Sequence, residues 1–128
     1  MKKVISAQQL LDIANEFGTP VYVYHAETIT DQFQKLQSAF KGHPTRFFYA
    51  CKALTNIHIL KHLLQLGANL DCVSINEVKL GLHVGFEPSQ ILFTPNCVDF
   101  SEIKEAKELG VNINIDNISI LEQFGNTY

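Results

Sequence analysis

Residues 46–51 read Arg46-Phe47-Phe48-Tyr49-Ala50-Cys51, a short aromatic and apolar run of the kind a sheet buries on both faces. Lys52 follows directly. From Asn56 to Leu66 the apolar residues change period: Ile57, Leu60, Leu63 and Leu64 fall on one helical face, and Gly67 supplies a stop. Strand followed at once by helix is the unit from which the rest of the chain is built. Asn69-Leu70-Asp71-Cys72-Val73-Ser74 reads as a second strand, and Ile75–Val84 as a helix closed by Gly85. Gln90-Ile91-Leu92-Phe93-Thr94 reads as a third strand after the Glu87-Pro88 turn. A helix over 101–109 follows, with Ser101 as its expected N-cap and Gly110 past its end. Val111-Asn112-Ile113-Asn114-Ile115 is a fourth strand, and Ser119–Phe124 starts another helix.

The strand centres fall near residues 48, 72, 92 and 113, at spacings of about 24, 20 and 21. Strands alternating with helices of about 10–15 residues define βαβ units and a parallel sheet. A doubly wound sheet and a (β/α)8 barrel both satisfy that alternation. A doubly wound nucleotide fold announces itself by a glycine-rich first turn. Here that turn is Cys51-Lys52-Ala53-Leu54, without a glycine, so the barrel is the expected architecture. A complete barrel takes eight strands and about 250 residues. The 128 residues supply four such units, and an open four-stranded sheet leaves two bare edges, so the expectation is a part of a larger protein or closure by association.

The first 45 residues differ. Ala7–Phe17 is an amphipathic helix carrying Leu10, Leu11, Ala14 and Phe17, broken by Gly18-Thr19-Pro20. Val21-Tyr22-Val23-Tyr24 reads as a strand, Glu27–Phe40 as a second helix, and Lys41-Gly42-His43-Pro44 as a loop.

Composition excludes several classes. With 46% hydrophobic and 18% charged residues, and a net charge of −3, the chain is expected to fold and to carry no nucleic-acid footprint. No apolar run reaches the roughly 20 residues of a membrane helix, and the start, Met1-Lys2-Lys3-Val4-Ile5-Ser6, lacks a signal-peptide core. The expected compartment is the cytoplasm. Cys51, Cys72 and Cys97 form no CxxC pair, and the histidines form no HExxH; His58 and His62, four apart, lack a third ligand. No metal site is expected from spacing. Cys51 and Cys72 read as small buried hydrophobes, Cys97 as more exposed. Phe33, Phe40, Phe47, Phe48, Phe86, Phe93, Phe100 and Phe124 read as core, and Ser101–Glu108 as a solvated face with internal ion pairs at spacing four.

In parallel α/β folds function sits at the C-terminal ends of the strands. Those ends offer Lys52 after the first strand, and Asp71, Ser74 and Glu77 on and after the second. Thr94-Pro95-Asn96 follows the third strand and Asp116-Asn117 the fourth. A lysine held rigidly between strand and helix and partly desolvated becomes a nucleophile toward aldehydes. Asp71 and Glu77 are placed to orient its ammonium or relay its proton. The plainer alternative is a surface lysine salt-bridged to Asp71.

Tyr49-Ala50-Cys51-Lys52-Ala53-Leu54, with Ile59-Leu60, Leu63 and Gly67 behind it, resembles the cofactor-attachment signature of the fold-type III pyridoxal-phosphate decarboxylases. These are the ornithine, diaminopimelate and arginine decarboxylases, relatives of alanine racemase. Asp71-Cys72-Val73-Ser74 with Glu77, Ile91-Leu92-Phe93-Thr94-Pro95-Asn96 and Ile113-Asn114-Ile115-Asp116-Asn117 resemble the next three strand motifs of the diaminopimelate branch. Gly18-Thr19-Pro20-Val21-Tyr22-Val23-Tyr24 resembles the strand by which the family enters from its β-rich domain. The likeness covers residues 8–126. Leu54, where relatives often carry asparagine, and Pro95, where many carry glycine, depart from the pattern.

The resemblance implies the first part of an alanine-racemase-like (β/α)8 TIM barrel, about four βα units, preceded by an N-terminal helix and a strand of the β domain. Residues 1–26 would go with the β-rich domain and 27–128 with the barrel. It implies pyridoxal 5'-phosphate on Lys52, with Ala50 allowing its ring close approach and Asp71 and Glu77 supporting the lysine. Asn96 and Asp116 have barrel-mouth positions for which packing or capping serves equally well. The implied reaction is decarboxylation of meso-2,6-diaminopimelate to L-lysine and CO2. Ornithine, arginine or carboxynorspermidine is the alternative substrate, and a catalytically inert fragment is the alternative of another class. A small-molecule amino acid is the expected partner, in a full-length homodimer. The family's ring-stacking histidine, glycine-rich phosphate loop, acid facing the pyridine nitrogen and partner-subunit cysteine segment are expected beyond residue 128, so the 128 residues alone are expected to be inactive.

Overall fold

Four parallel strands form one sheet in the order β1-β2-β3-β4: β1 is Phe48–Ala50, β2 Asn69–Cys72, β3 Ile91–Phe93 and β4 Asn112–Ile113. These come from a computed structural model that describes residues 5–128. Register pairs Ala50 with Asp71, Cys72 with Phe93 and Phe93 with Ile113. The order is sequential and nowhere reverses. A doubly wound sheet requires a reversal, at its switch point, whereas consecutive neighbours all running one way are what a barrel wall needs.

The chain divides into two compact units, Met1–His43 and Pro44–Tyr128, and the sheet belongs to the second. There the helices follow their strands as the periodicity dictates. They are α3 (Ile57–Gln65), α4 (Ile75–Val84), α5 (Phe100–Glu108) and α6 (Ile118–Thr127). Each is started by a side-chain oxygen that satisfies amide groups the first turn leaves without partners. Asn56 accepts from the His58 and Ile59 amides at 2.9 and 3.3 Å. Ser74 accepts from Glu77 and Asn117 from Ile120. Gly85, with φ +112°, ends α4 in the left-handed region, where a side chain would be strained.

Leu60, Leu70, Ile91, Phe93, Ile103 and Val78 form the fully buried centre of this unit. Close approach of α4 to the sheet depends on Gly81: a Cβ there would lie 2.6 Å from Leu70 Cδ2 and 3.2 Å from Ile91 Cδ1. The strands are shorter than the apolar runs that predict them, because a ladder exists only where both neighbours supply hydrogen-bonding groups. Beyond β3 the bonding continues without a regular strand, through the Thr94 amide to the Cys72 carbonyl and the Asn114 amide to the Phe93 carbonyl, both 2.8 Å.

Three expectations are corrected here. The N-cap of α5 is Asp99, whose carboxylate accepts the Ser101 amide at 2.8 Å, and not Ser101. The internal ion pairs expected along 101–108 do not form among the described residues. Glu105 reaches Lys79 of α4 at 2.6 Å, while Lys104 and Lys107 lie over the rings of Phe100 and Tyr128. Exposed pairs gain too little to hold long side chains in place, and the rings compete for the same ammonium groups. Of the phenylalanines read as core, Phe86 and Phe93 are buried, but Phe40 and Phe48 are exposed.

The first unit holds α1 (Ala7–Phe17) and α2 (Ala26–Ala39). Ser6 and Gln9 cap α1 reciprocally: Ser6 Oγ accepts the Gln9 amide and Gln9 Oε1 accepts the Ser6 amide. His25 Nδ1 accepts the Thr28 amide at the start of α2. Neither helix contains a buried residue. Val21–Tyr24, expected as a strand, is not one: no described residue forms a ladder with it, and all four side chains are exposed. Among the described residues no helix is long and apolar enough to cross a membrane.

Candidate functional site

The C-terminal ends of β1, β2 and β3 bring the predicted residues to one edge of the sheet. Ala50 ends β1, and Cys51–Ala53 then winds into a single 3-10 turn that carries Lys52. Ala50 faces Asp71 directly across the parallel ladder. Side chains alternate along a strand, so Ala50 and Asp71 share one face of the sheet while Tyr49 and Leu70 share the other. Asp71 is held from β3: the Thr94 hydroxyl donates to its Oδ1 at 2.5 Å.

Lys52 is exposed, which corrects the expectation of partial desolvation. It sits in the turn past the strand and not within it. Among the described residues no hydrogen bond or ion pair joins it to Asp71 or Glu77, so the salt-bridged surface lysine is not what this structure contains. Glu77 has a different setting. Its Oε2 accepts the Val73 amide at 2.7 Å, and its own amide donates to Ser74, so it fastens the start of α4 to the end of β2.

Glu77 also meets the two buried cysteines. Cys51 and Cys72 each come directly after the paired Ala50 and Asp71, and their sulfurs lie within 4.8 Å of each other. The neighbouring Cys72 thiol holds Cys51 below the ordinary thiol range, against burial and the charges of Glu77 and Asp71. The neighbouring Cys51 thiol pushes Cys72 up, with burial acting in the same direction. Cys97 is exposed, as expected, with φ +57°. Asn96 accepts the Cys97 thiol and Asp116 accepts the Asn117 side-chain amide; both are exposed.

Two features escaped the sequence reading. Thr94 is the residue that orients Asp71; the signal for it was a hydroxyl at the end of the strand next to that carboxylate. The Cys51–Cys72 pairing spans 21 residues of sequence, and only strand register discloses it.

The donor set fits an aldehyde cofactor. A primary amine without an ionic partner among the described residues stands in the turn past β1, with Ala50 at the strand end and Ala53 next to it as small side chains.

Residues 26–128 match the family described as "Pyridoxal-dependent decarboxylase, pyridoxal binding domain". The chain belongs to the pyridoxal-dependent decarboxylases, and its parallel β/α units are part of the pyridoxal-binding barrel of that family. It is 39% identical over 120 residues to the diaminopimelate decarboxylase of Methanothermobacter thermautotrophicus, covering 92% of this chain and 28% of that protein. Among solved structures it resembles the lysine/ornithine decarboxylase of Vibrio vulnificus complexed with putrescine. The TM-score there is 0.83 at 26% identity, covering 97% of this chain and 35% of that one. It also resembles the diaminopimelate decarboxylase of M. jannaschii in co-complex with L-lysine, at TM-score 0.78 and 29% identity, covering 92% of this chain and 29% of that one. The chain thus spans 28% of the length of the Methanothermobacter relative.

Proposed function

We propose that this chain is the cofactor-attaching portion of an enzyme that decarboxylates meso-2,6-diaminopimelate to L-lysine and CO2. The observation that carries the reading is Lys52, held in a turn at the C-terminal end of β1 in a chain 39% identical to a diaminopimelate decarboxylase. When bound, pyridoxal 5'-phosphate supplies an electron sink for the pair left on carbon as CO2 departs. Lys52 would offer the amine that holds the cofactor's aldehyde and would assist release of the product. Ala50, a small side chain, would leave space for a flat ring. Asp71, fixed by Thr94, presents a carboxylate on the Ala50 face. Glu77 acts through position, bracing the junction from β2 to α4.

A second reading takes the Vibrio vulnificus likeness as its guide and makes L-lysine or L-ornithine the substrate. A cytoplasmic homodimer, and the assignment of residues 1–26 to a β-rich domain with 27–128 as barrel, complete the proposal on the family resemblance.

Borohydride reduction of the full-length protein with pyridoxal phosphate, followed by peptide mapping, tests the attachment. The adduct is expected at Lys52 and absent in Lys52→Ala. Labelling spread over the other lysines would remove Lys52 from its role. CO2 release from meso-diaminopimelate, L-lysine, L-ornithine and L-arginine, assayed side by side, separates the two substrate readings.

A further inference from the structure

Cys51 and Cys72 have no part in the proposed reaction, yet they are built into a cluster. Both are 0% exposed. Each comes directly after the Ala50–Asp71 pair that ends the β1–β2 register. The first turn of α4 brings the Glu77 carboxylate to them, and one oxygen of it lies with the two sulfurs within 4.8 Å of one another. The Val73 amide at 2.7 Å holds that carboxylate in place, the kind of support that fixes a metal ligand's orientation.

We propose that Cys51, Cys72 and Glu77 form a binding site for a thiophilic divalent cation of the Zn2+ or Cd2+ class. Two sulfurs and one carboxylate oxygen are a donor set that soft and borderline ions take, while Mg2+ and Ca2+ call for oxygen alone. Tetrahedral coordination at about 2.3 Å to sulfur and about 2.0–2.2 Å to oxygen places ligand atoms roughly 3.5–3.8 Å apart. The present cluster closes to that size by about one ångström at its widest edge, within the reach of cysteine side-chain rotation. Three protein ligands leave a fourth position for water, on the side where half-buried Glu77 meets solvent. Binding breaks two S–H bonds: both protons leave to solvent, the cation gains two thiolates and the carboxylate, and no electron is transferred. The site adjoins Lys52 in sequence, and Cys72 alternates with Asp71 along β2 onto the other sheet face.

The test uses the full-length protein, reduced and stripped of metal, titrated with Cd2+ without oxygen. Calorimetry, sulfur-to-cadmium charge-transfer absorption and 113Cd NMR are the readouts. One ion per chain is expected, with thiolate absorption, about two protons released per ion, and a 113Cd resonance of a mixed sulfur–oxygen set. Cys72→Val and Cys51→Ala each lower affinity by at least about 100-fold and Glu77→Gln by about tenfold. Cys97→Ser leaves it unchanged. Absence of thiolate absorption overturns the proposal, as does absorption that survives both Cys51→Ala and Cys72→Val but vanishes in Cys97→Ser. Should a core cysteine variant fail to fold, the proton count and the 113Cd resonance of the unsubstituted protein decide alone.

Discussion

Helices α1 and α4 carry apolar residues at helical spacing and both are capped by a serine, but only one of them is buried. Ile75, Val78, Gly81 and Val84 of α4 lie against the sheet. Leu10, Leu11 and Phe17 of α1 remain exposed. The difference separates two causes that a sequence pattern merges. Caps and spacing suffice to set where a helix starts and which side is apolar. Burial needs a second element with a complementary face, and in the second unit the parallel sheet supplies it.

The largest expected contrast sets the cores of the two units against each other. Phe93→Ala removes a fully buried ring from β3 and is expected to cost about 3–5 kcal/mol. Phe17→Ala, at a residue 69% exposed, is expected to stay within about 0.5 kcal/mol. Urea unfolding of the full chain measures both, and equal costs would break the comparison. Next comes Gly81→Ala. A methyl group 2.6 Å from Leu70 Cδ2 must push α4 off the sheet or shift buried Leu70, at about 1–3 kcal/mol by the same measurement; a neutral result would mean that α4 is not pressed onto β2.

A smaller effect belongs to the caps. Asn56→Ala leaves the His58 and Ile59 amides without their acceptor, a loss of about 1 kcal/mol. Amide exchange should show it first in α3, and unchanged exchange there would remove the cap from the account. The smallest effect is on pH. The Ser101 hydroxyl and amide hold the exposed Asp99 carboxyl below the usual carboxylate range. A depressed carboxyl stabilises the folded form above its unfolded value of about 3.9, and the contribution fades as pH falls through the folded value. The Ser101 amide resonance should therefore titrate below that range, and Asp99→Asn should abolish the titration. A midpoint at the ordinary aspartate value would remove this contribution, and one above it would reverse its sign.

Much of the site was legible in residue order. Lys52 at the end of an apolar run, Asp71 within the next run and Ser74 before a helix mark the candidate edge of a parallel sheet from residue order alone. What failed to read was whatever depends on two elements at once. Position after an apolar run predicts a partly desolvated Lys52, which is exposed because it lies in the turn past β1. Residue order groups Glu77 with the lysine, whereas in the fold its carboxylate accepts the Val73 amide and one of its oxygens lies within 4.8 Å of the two cysteine sulfurs. Val21–Tyr24 has strand composition, but composition supplies no ladder partner. Ser101 and Asp99 both suit an N-cap, and φ/ψ geometry chose Asp99.

Residue order alone carries the alternation of strands and helices past residue 45, the helix stops at Gly67 and Gly85, the lack of a glycine-rich nucleotide turn and the position of Lys52 after the first strand. All of these rest on interactions among residues a few positions apart. The sequential strand order, the pairing of Ala50 with Asp71, the Thr94 bond that holds Asp71, and the meeting of Cys51, Cys72 and Glu77 exist only in the folded chain. Those depend on register between strands some 20 residues apart, which is set by packing α3, α4 and α5 against the sheet and not by any local preference of the chain.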